Sequence, residues 1–297
     1  MNTKIIAFYL PQYHPFKENN EWWGAGFTEW TNVTTAQPLF KGHYQPKIPK
    51  DLGFYDLRLP ESREEQIKLA QEAGVYGFCY WHYWFGKNKE LMERPFNEVV
   101  SSGVPDFPFC IGWANESWLN KQWNADGTLK GGKLLIEQKY EGLEDYKAHF
   151  NKLLPAFKDK RYILIDNCPL VFIHRAILLP TEIITIWNQM AQEHGFSGIY
   201  FVGRLTYAEY MENKFNLLLN KGFNAITIGR LGNSILKESK IKRLTRHLIG
   251  YLKYNGCTRI ASYDKEIQYY SEDIDKRDSS DAGKASGLCA RADTQAG

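Results

Sequence analysis

Lys4-Ile5-Ile6-Ala7-Phe8-Tyr9-Leu10-Pro11-Gln12-Tyr13-His14 is an apolar run halted by a proline and followed by polar and aromatic residues. A continuous apolar stretch of this length suits a strand covered on both faces, and Pro11 cannot extend it. The residues just after the strand narrow the fold. A doubly wound nucleotide-binding sheet places a Gly-rich phosphate turn here, and Pro11-Gln12-Tyr13-His14 is not one. Outward along the chain the unit recurs. Strand-like runs occupy Val75–Trp81, Pro108–Trp113, Tyr162–Ile165 and Leu170–His174 around the turn signal Asp166-Asn167-Cys168-Pro169, Gly198–Val202 and Ala225–Ile228. Helical spacing fills the intervals: Pro60–Ala73 closed by Gly74, Leu91–Ser102, Asp145–Phe157, Thr181–His194 capped by Thr181 and closed by Gly195, Tyr207–Asn220 stopped by Gly222, and Leu236–Tyr251.

This alternation predicts an α/β fold with a parallel sheet covered by helices. The polar residues come after the strands: Gln12–His14, His82–Trp84, Ala114–Glu116 and His174–Arg175. Residues at the C-terminal ends of several parallel strands converge on one mouth, the pattern of a (β/α)₈ barrel of the TIM type. Two aromatic-rich insertions, about 11–60 and 114–143, are placed to roof that mouth. The strand count stops short: about six strands precede residue 230, whereas a closed barrel needs eight. From Asp278 to Gly297 there is no aromatic and no β-branched apolar residue. The expectation is an incomplete barrel domain over 1–278 and a disordered tail over 279–297, with truncation or a frame shift near Arg277.

Hydrophobic residues make up 43% and charged residues 24% of the 297, enough for an ordinary core. The net charge of +3, from 37 basic and 34 acidic residues, points to no nucleic acid or other polyanionic partner. The most basic stretch, Lys237–Arg246, reads as a solvated helix face. Five widely spaced cysteines (79, 110, 168, 257, 289) form no CxxC pair or zinc pattern. Cys79 and Cys110 sit in apolar runs, and a reducing compartment is the simplest account. The N-terminus does not read as a signal peptide, and no segment approaches the ~18 apolar residues of a membrane span. A cytoplasmic protein with no metal and no cofactor is expected, of undetermined oligomeric state.

Eight of the nine tryptophans fall in the first 123 residues, beside Glu, Asn and His. Sugar rings need that mixture: an aromatic face for their C–H face, and paired donors and acceptors for their hydroxyls. Glu29-Trp30 lies in a Gly-broken loop, as a ligand contact or as the anchor of a packed loop. In Tyr80-Trp81-His82-Tyr83-Trp84, alternation sets Tyr80, His82 and Trp84 on one side and Trp81 and Tyr83 on the other. One set lines a pocket or both fill core; the His82 and Tyr tips favour the pocket. Asn115-Glu116 is the sharpest pair, with Asn holding a hydroxyl and Glu acting as acid, base or nucleophile. For His174-Arg175, ligand contact and structural bonding weigh equally, and Asp56 with Arg58 reads as a loop anchor. The sequence contains no Gly-x-Ser-x-Gly, HExxH, Walker loop or EF-hand pattern.

Phe8-Tyr9-Leu10-Pro11-Gln12-Tyr13-His14-Pro15, Trp22-Trp23-Gly24-Ala25-Gly26-Phe27-Thr28-Glu29-Trp30-Thr31-Asn32-Val33, Gly42-His43-Tyr44-Gln45-Pro46, Asp51-Leu52-Gly53-Phe54-Tyr55-Asp56-Leu57-Arg58, Gly77–Phe85 and Trp113-Ala114-Asn115-Glu116 stand in one order along the chain. Together, over about residues 4–278, they resemble the WbsX-like family of lipopolysaccharide and polysaccharide biosynthesis proteins, similar to glycoside hydrolase family 99. The resemblance implies a (β/α)₈ barrel acting on an oligo- or polysaccharide, with two catalytic carboxylates in a late Glu-Trp-x-Glu-Gly motif. This sequence has no such motif. What carries over is the sugar-pocket half: Tyr9, His14, Trp30, Tyr80, His82, Trp84, Trp113, Asn115 and Glu116, with Glu116 the one catalytic candidate. A glycan-active enzyme of polysaccharide biosynthesis is expected first, present here as an incomplete chain that lacks its paired carboxylates and is nearly inactive as it stands. A carbohydrate-binding protein without turnover and a nucleotide-sugar-dependent glycosyltransferase are the alternatives.

Overall fold

The structure is a computed structural model. It describes residues 3–229 apart from 39–41, 88, 121, 124–128 and 131, and beyond them scattered positions between 241 and 249 and the strand Cys289–Arg291. Six parallel strands form its wall: β1 Ile6–Tyr9, β2 Gly77–Trp84, β3 Phe109–Trp113, β4 Cys168–Ile173, β5 Tyr200–Thr206 and β6 Ala225–Gly229. They lie side by side in chain order with no reversal. A doubly wound sheet would reverse direction at a switch point, so this is the curled wall of a (β/α)₈-type barrel, incomplete among the described residues. Crossover helices join successive strands: α1 Pro60–Glu72, α2 Arg94–Ser102, α3 Leu143–Phe157, α4 Thr181–Glu193 and α5 Phe215–Lys221.

The helices start and stop where local chemistry dictates. Pro60 opens α1, its missing N–H being one that no helical turn would use, and Gly74 beyond its end takes φ 75°. Gly103 ends α2 in the left-handed region. The expected helix 91–102 begins only at Arg94, because Glu90–Leu91 pairs antiparallel with Tyr83–Trp84. The run Tyr162–Ile165 is likewise no wall strand. Leu164–Ile165 folds back on Cys168–Pro169 through Asp166 and Asn167, both at positive φ. The expected helix 207–220 is two pieces, Tyr207–Met211 and α5, separated at Asn213 with φ 63°. Most of the expected helix 236–251 lies outside the described residues. In the tail, Cys289–Arg291 pairs antiparallel with Ala225–Thr227 of β6. Backbone pairing of this kind needs no apolar side chains, which is why composition does not announce it.

Register sorts the wall into two faces. Cys79 pairs with Cys110 and Trp81 with Gly112, so these look inward, whereas Tyr80 pairs with Ile111 and His82 with Trp113 on the helix side. The helix side holds the main core, with Ile111, Val171, Ile173, Phe150, Trp187 and Phe201 wholly buried. Arg161 ties its N-terminal end together. Its guanidinium donates to the carbonyls of Val99 (2.8 Å) and Pro105 (2.8 Å) and, through Nε, to Asp159 (2.9 Å). The Arg161 hydrogen bonds hold the Asp159 carboxyl below its ordinary value. A depressed carboxylate contributes stability above its unfolded pKa and loses it as pH falls through the folded one. Asp159→Asn is therefore expected to lower the urea midpoint at neutral pH and to flatten the loss of stability below about pH 4. An acid limb identical to wild type would refute this role.

Candidate functional site

The inward face carries the mouth. Phe8 of β1, Trp81 of β2 and Phe172 of β4 form an aromatic cluster, with ring centroids 5.1 Å apart for Phe8–Trp81, 4.8 Å for Phe8–Phe172 and 5.8 Å for Trp81–Phe172. Gly112 makes room for it: a Cβ there would sit 2.9 Å from the Trp81 ring and 3.0 Å from the Cys79 sulfur. Towards the C-terminal ends of the strands these rings floor a cavity of ≈ 290 Å³, lined also by Tyr9, Leu10, His174 and Arg204. On the N-terminal side lies a second cavity of ≈ 220 Å³, lined by Ile6, Cys79, Cys110, Leu170, Val202 and Thr227 besides Phe8 and Phe172. Its lining is almost wholly apolar.

Charged groups gather at the rim. Glu116, just past β3, lies 3.6 Å from His174 Nε2 and 3.7 Å from Arg175 Nη1. Arg175 Nη2 reaches Glu209 at 3.9 Å. Glu209 also accepts a hydrogen bond from the Thr206 N–H (2.7 Å) in a capping box, which fixes its position after β5. Asn115 is fully buried and spends its amide on the wall. Its Oδ1 accepts from the Arg175 N–H (2.8 Å), and its Nδ2 donates to the Arg175 carbonyl (3.2 Å) and to the Tyr140 hydroxyl (2.8 Å). This clasp joins the ends of β3 and β4 and so sets Glu116 beside His174. Gln12 bridges to the Tyr83 hydroxyl at 3.1 Å and ties the turn after β1 to the end of β2.

The other residues expected at a sugar pocket are distributed differently. Tyr80, His82, Trp84 and Trp113 lie behind the wall, buried against α2 and α3. The Trp84 ring stacks on His149 of α3 with centroids 4.5 Å apart, and its Nε1 donates to Asp145. Trp113 meets His149 edge-on at 4.5 Å. His82 and His149 share a hydrogen bond of 2.7 Å between their Nε2 atoms, so one ring donates and the other accepts. Tyr80 packs between Tyr9 and Phe96. The Tyr9 hydroxyl donates to Gln66 of α1 (2.6 Å), although its backbone borders the mouth. Trp30 packs within the insertion after β1: its Nε1 donates to the Tyr55 carbonyl (2.8 Å), within a cluster of Tyr13, Phe54 and Tyr55. His14 is buried beside Phe16. Asp56 and Arg58 form a close local pair, the loop anchor expected of them.

Of the nine, the geometry brings Glu116 to the charged rim, beside His174 and Arg175. Phe8, Trp81, Phe172 and Arg204 complete the mouth; of these the sequence patterns offered only Trp81, in the alternating set opposite to the one favoured for the pocket. Among the described residues no group of three or more His, Cys, Asp or Glu side chains is placed to hold a metal ion. Nor is any helix among them long and apolar enough to cross a membrane.

With the mouth defined, comparison with known proteins places the chain. A family model described as glycosyltransferase WbsX matches residues 5–291. The chain belongs to that family. It is 40% identical over 200 residues to the uncharacterized protein WxcX of Xanthomonas campestris pv. campestris, in strain B100 and equally in strain ATCC 33913. That match takes in 66% of this chain and 28% of the relative, so the chain spans well under half the length of these curated relatives. Among solved structures, the endo-α-mannosidase of glycoside hydrolase family 99 from Bacteroides thetaiotaomicron is similar at 14% identity and TM-score 0.42, over 71% of this chain and 55% of that one. A glycoside hydrolase-like protein gives 12% and 0.43, over 86% and 69%.

Burial also sets protonation. It pushes the His82 imidazole down to about 3 and His14 down to about 4, and it holds His149 well below its ordinary value. Folding thus keeps three imidazoles neutral that the unfolded chain protonates below about pH 6.5. The unfolded state binds more protons in that window, so stability falls as pH drops from about 6.5 towards 4, by up to roughly 1.4 kcal/mol per pH unit for each histidine. Urea unfolding across that range checks this, and a flat profile would contradict it.

Proposed function

We propose that this chain binds a glycan in the mouth of its barrel and processes it there, in the assembly of a cell-surface polysaccharide. One observation carries the reading: an aromatic floor of Phe8, Trp81 and Phe172 lies directly beneath a rim bearing Glu116 and His174 in contact. A sugar ring whose C–H face lies on such a floor presents its hydroxyls and its glycosidic oxygen to the rim. Membership of a family described as a glycosyltransferase favours breaking and making a glycosidic bond over binding alone.

In this reading Glu116 is the proton-transfer group. Half-exposed on the rim, it can give a proton to a departing glycosidic oxygen, or take one from an attacking hydroxyl, with His174 beside it to exchange the proton. Whether the attacking hydroxyl belongs to water or to a second sugar, the same carboxylate serves. Arg175 sits between Glu116 and Glu209 and sets the charge that both carboxylates feel. Asn115 is a positioning residue, since its amide is committed to the Arg175 backbone.

Trp81→Ala is expected to weaken oligosaccharide affinity about fivefold or more by titration calorimetry, on a stacking worth about 1 kcal/mol or more. Trp84→Ala, on the helix side, is expected to lower the melting temperature through the cavity it leaves, not to change sugar specificity. Glu116→Gln is expected to keep binding and to lose roughly 10²–10⁴-fold in turnover of nucleotide-sugar or oligosaccharide. Unchanged affinity in a folded Trp81→Ala variant would overturn the site.

A further inference from the structure

Arg204 stands apart from the other cations of the mouth. His174 and Arg175 each have Glu116 within 4 Å, and Arg175 has Glu209 as well. No carboxylate among the described residues pairs with Arg204. Its position is nonetheless a built one. In the strand Tyr200-Phe201-Val202-Gly203-Arg204-Leu205-Thr206 it is the single charge, and register with Thr227 turns its side chain inward with Val202. The guanidinium lies across Gly229 of β6. A Cβ at that position would fall 2.6 Å from Nη2, 2.7 Å from Nε and 2.9 Å from Cζ, so a side chain there would push the guanidinium out of this seat.

Among the described residues the rest of the cavity supplies no acceptor side chain for it: Phe8, Leu10, Trp81 and Phe172 are apolar, the Tyr9 hydroxyl is committed to Gln66, and His174 faces Glu116. A half-buried guanidinium loses hydration and recovers it only from a partner. Its planar fork of N–H donors matches a carboxylate bidentately. Charge counting separates carboxylate from phosphate. Among the described residues Arg204 is the one cation of the mouth without a carboxylate partner, which suits a monoanion, whereas a sugar diphosphate would call for more cations than these residues leave unpaired.

We propose that the sugar held in this mouth carries a carboxylate, a uronic acid residue of an acidic glycan, and that Arg204 reads it from its seat on Gly229. The proposal rests on the reading of the mouth as a sugar site, and the two can fail separately. Methyl α-glycosides of glucuronic, galacturonic and mannuronic acid, each paired with its neutral hexoside, are titrated against the whole chain by calorimetry and saturation-transfer NMR. At least one uronoside is expected to bind tenfold or more tightly than its neutral partner, with an affinity that falls as salt is raised. Arg204→Gln should erase the difference between uronoside and hexoside, and Arg204→Lys should restore only part of it. Gly229→Ala, which leaves the arginine in place but fills its seat, should also lose the preference; this keeps the test decisive if Arg204→Gln does not fold.

Equal binding of uronosides and hexosides, or a preference that survives both Arg204→Gln and Gly229→Ala, overturns the acidic-sugar proposal and leaves the sugar site standing. Tighter binding of inorganic phosphate or a nucleoside diphosphate through Arg204 overturns it as well. Failure of every sugar to bind overturns both readings.

Discussion

The parallel pairing of β2 with β3, in which Trp81 lies opposite Gly112, decides the rest of the molecule. The indole fits inside the barrel because its neighbour lacks a Cβ, and 2.9 Å is the clearance any larger residue would be left with. With Trp81 committed inward, the period-two geometry of a strand sends Tyr80, His82 and Trp84 outward. A one-residue slip would exchange the faces, placing an imidazole and two polar-tipped aromatic rings in the barrel interior and an indole among the helices. The floor of the mouth and the packing of the helices are therefore consequences of one register.

Behind the wall, that register meets α3. His149 sits among Trp84, Trp113 and Trp187, bonded to His82, which in turn lies 3.5 Å from Glu90. The Lys152 ammonium at 3.2 Å answers the Glu90 carboxylate, yet burial still raises the Glu90 pKa. A polar chain this deep is tolerated because the two imidazoles bond one another and stay neutral, which avoids the cost of a buried charge, and because Lys152 answers Glu90. Its effect is to lock the outer side chains of β2 in place. The inner side chains of the same strand, on which a ligand would rest, then have a fixed backbone beneath them.

Much of the architecture was legible in the sequence. Each wall strand is a continuous apolar run bounded by Pro, Gly or polar residues, and the helices between them show their own breaks, which is enough to order the strands and locate the mouth. The facing of β2 was not legible. Gly77–Trp84 is apolar or aromatic at nearly every position because both faces are covered, and alternation in such a run cannot say which set looks inward. The deciding residue, Gly112, lies on another strand. Asn115 was obscured for a related reason: its partner is the backbone of a residue sixty positions on, and proximity to Glu116 suggests ligand contact instead. Arg204 could have been found, since a lone charge inside an apolar strand run calls for an explanation. The split of the helix after β5 turns on the positive φ of Asn213, a residue type that tolerates it without announcing it.

The faces of the wall also divide its electrostatics. Toward the helices, ionisable groups are either neutralised by burial, as His82 and His149 are, or closed in bidentate pairs, as Arg161 and Asp159 are. At the mouth the balance is left incomplete by the backbone. Glu116 and Glu209 share Arg175, His174 shares Glu116, and Gly229 holds open a place for one more guanidinium that these carboxylates do not reach. A buried helix face gains nothing from an unanswered charge, because no visiting group can reach it. A cavity open to solvent does, because a ligand bringing the opposite charge recovers the electrostatic energy that folding left unused. The asymmetry between the closed back and the open mouth is thus what supports the proposal that the inner face of this barrel receives another molecule.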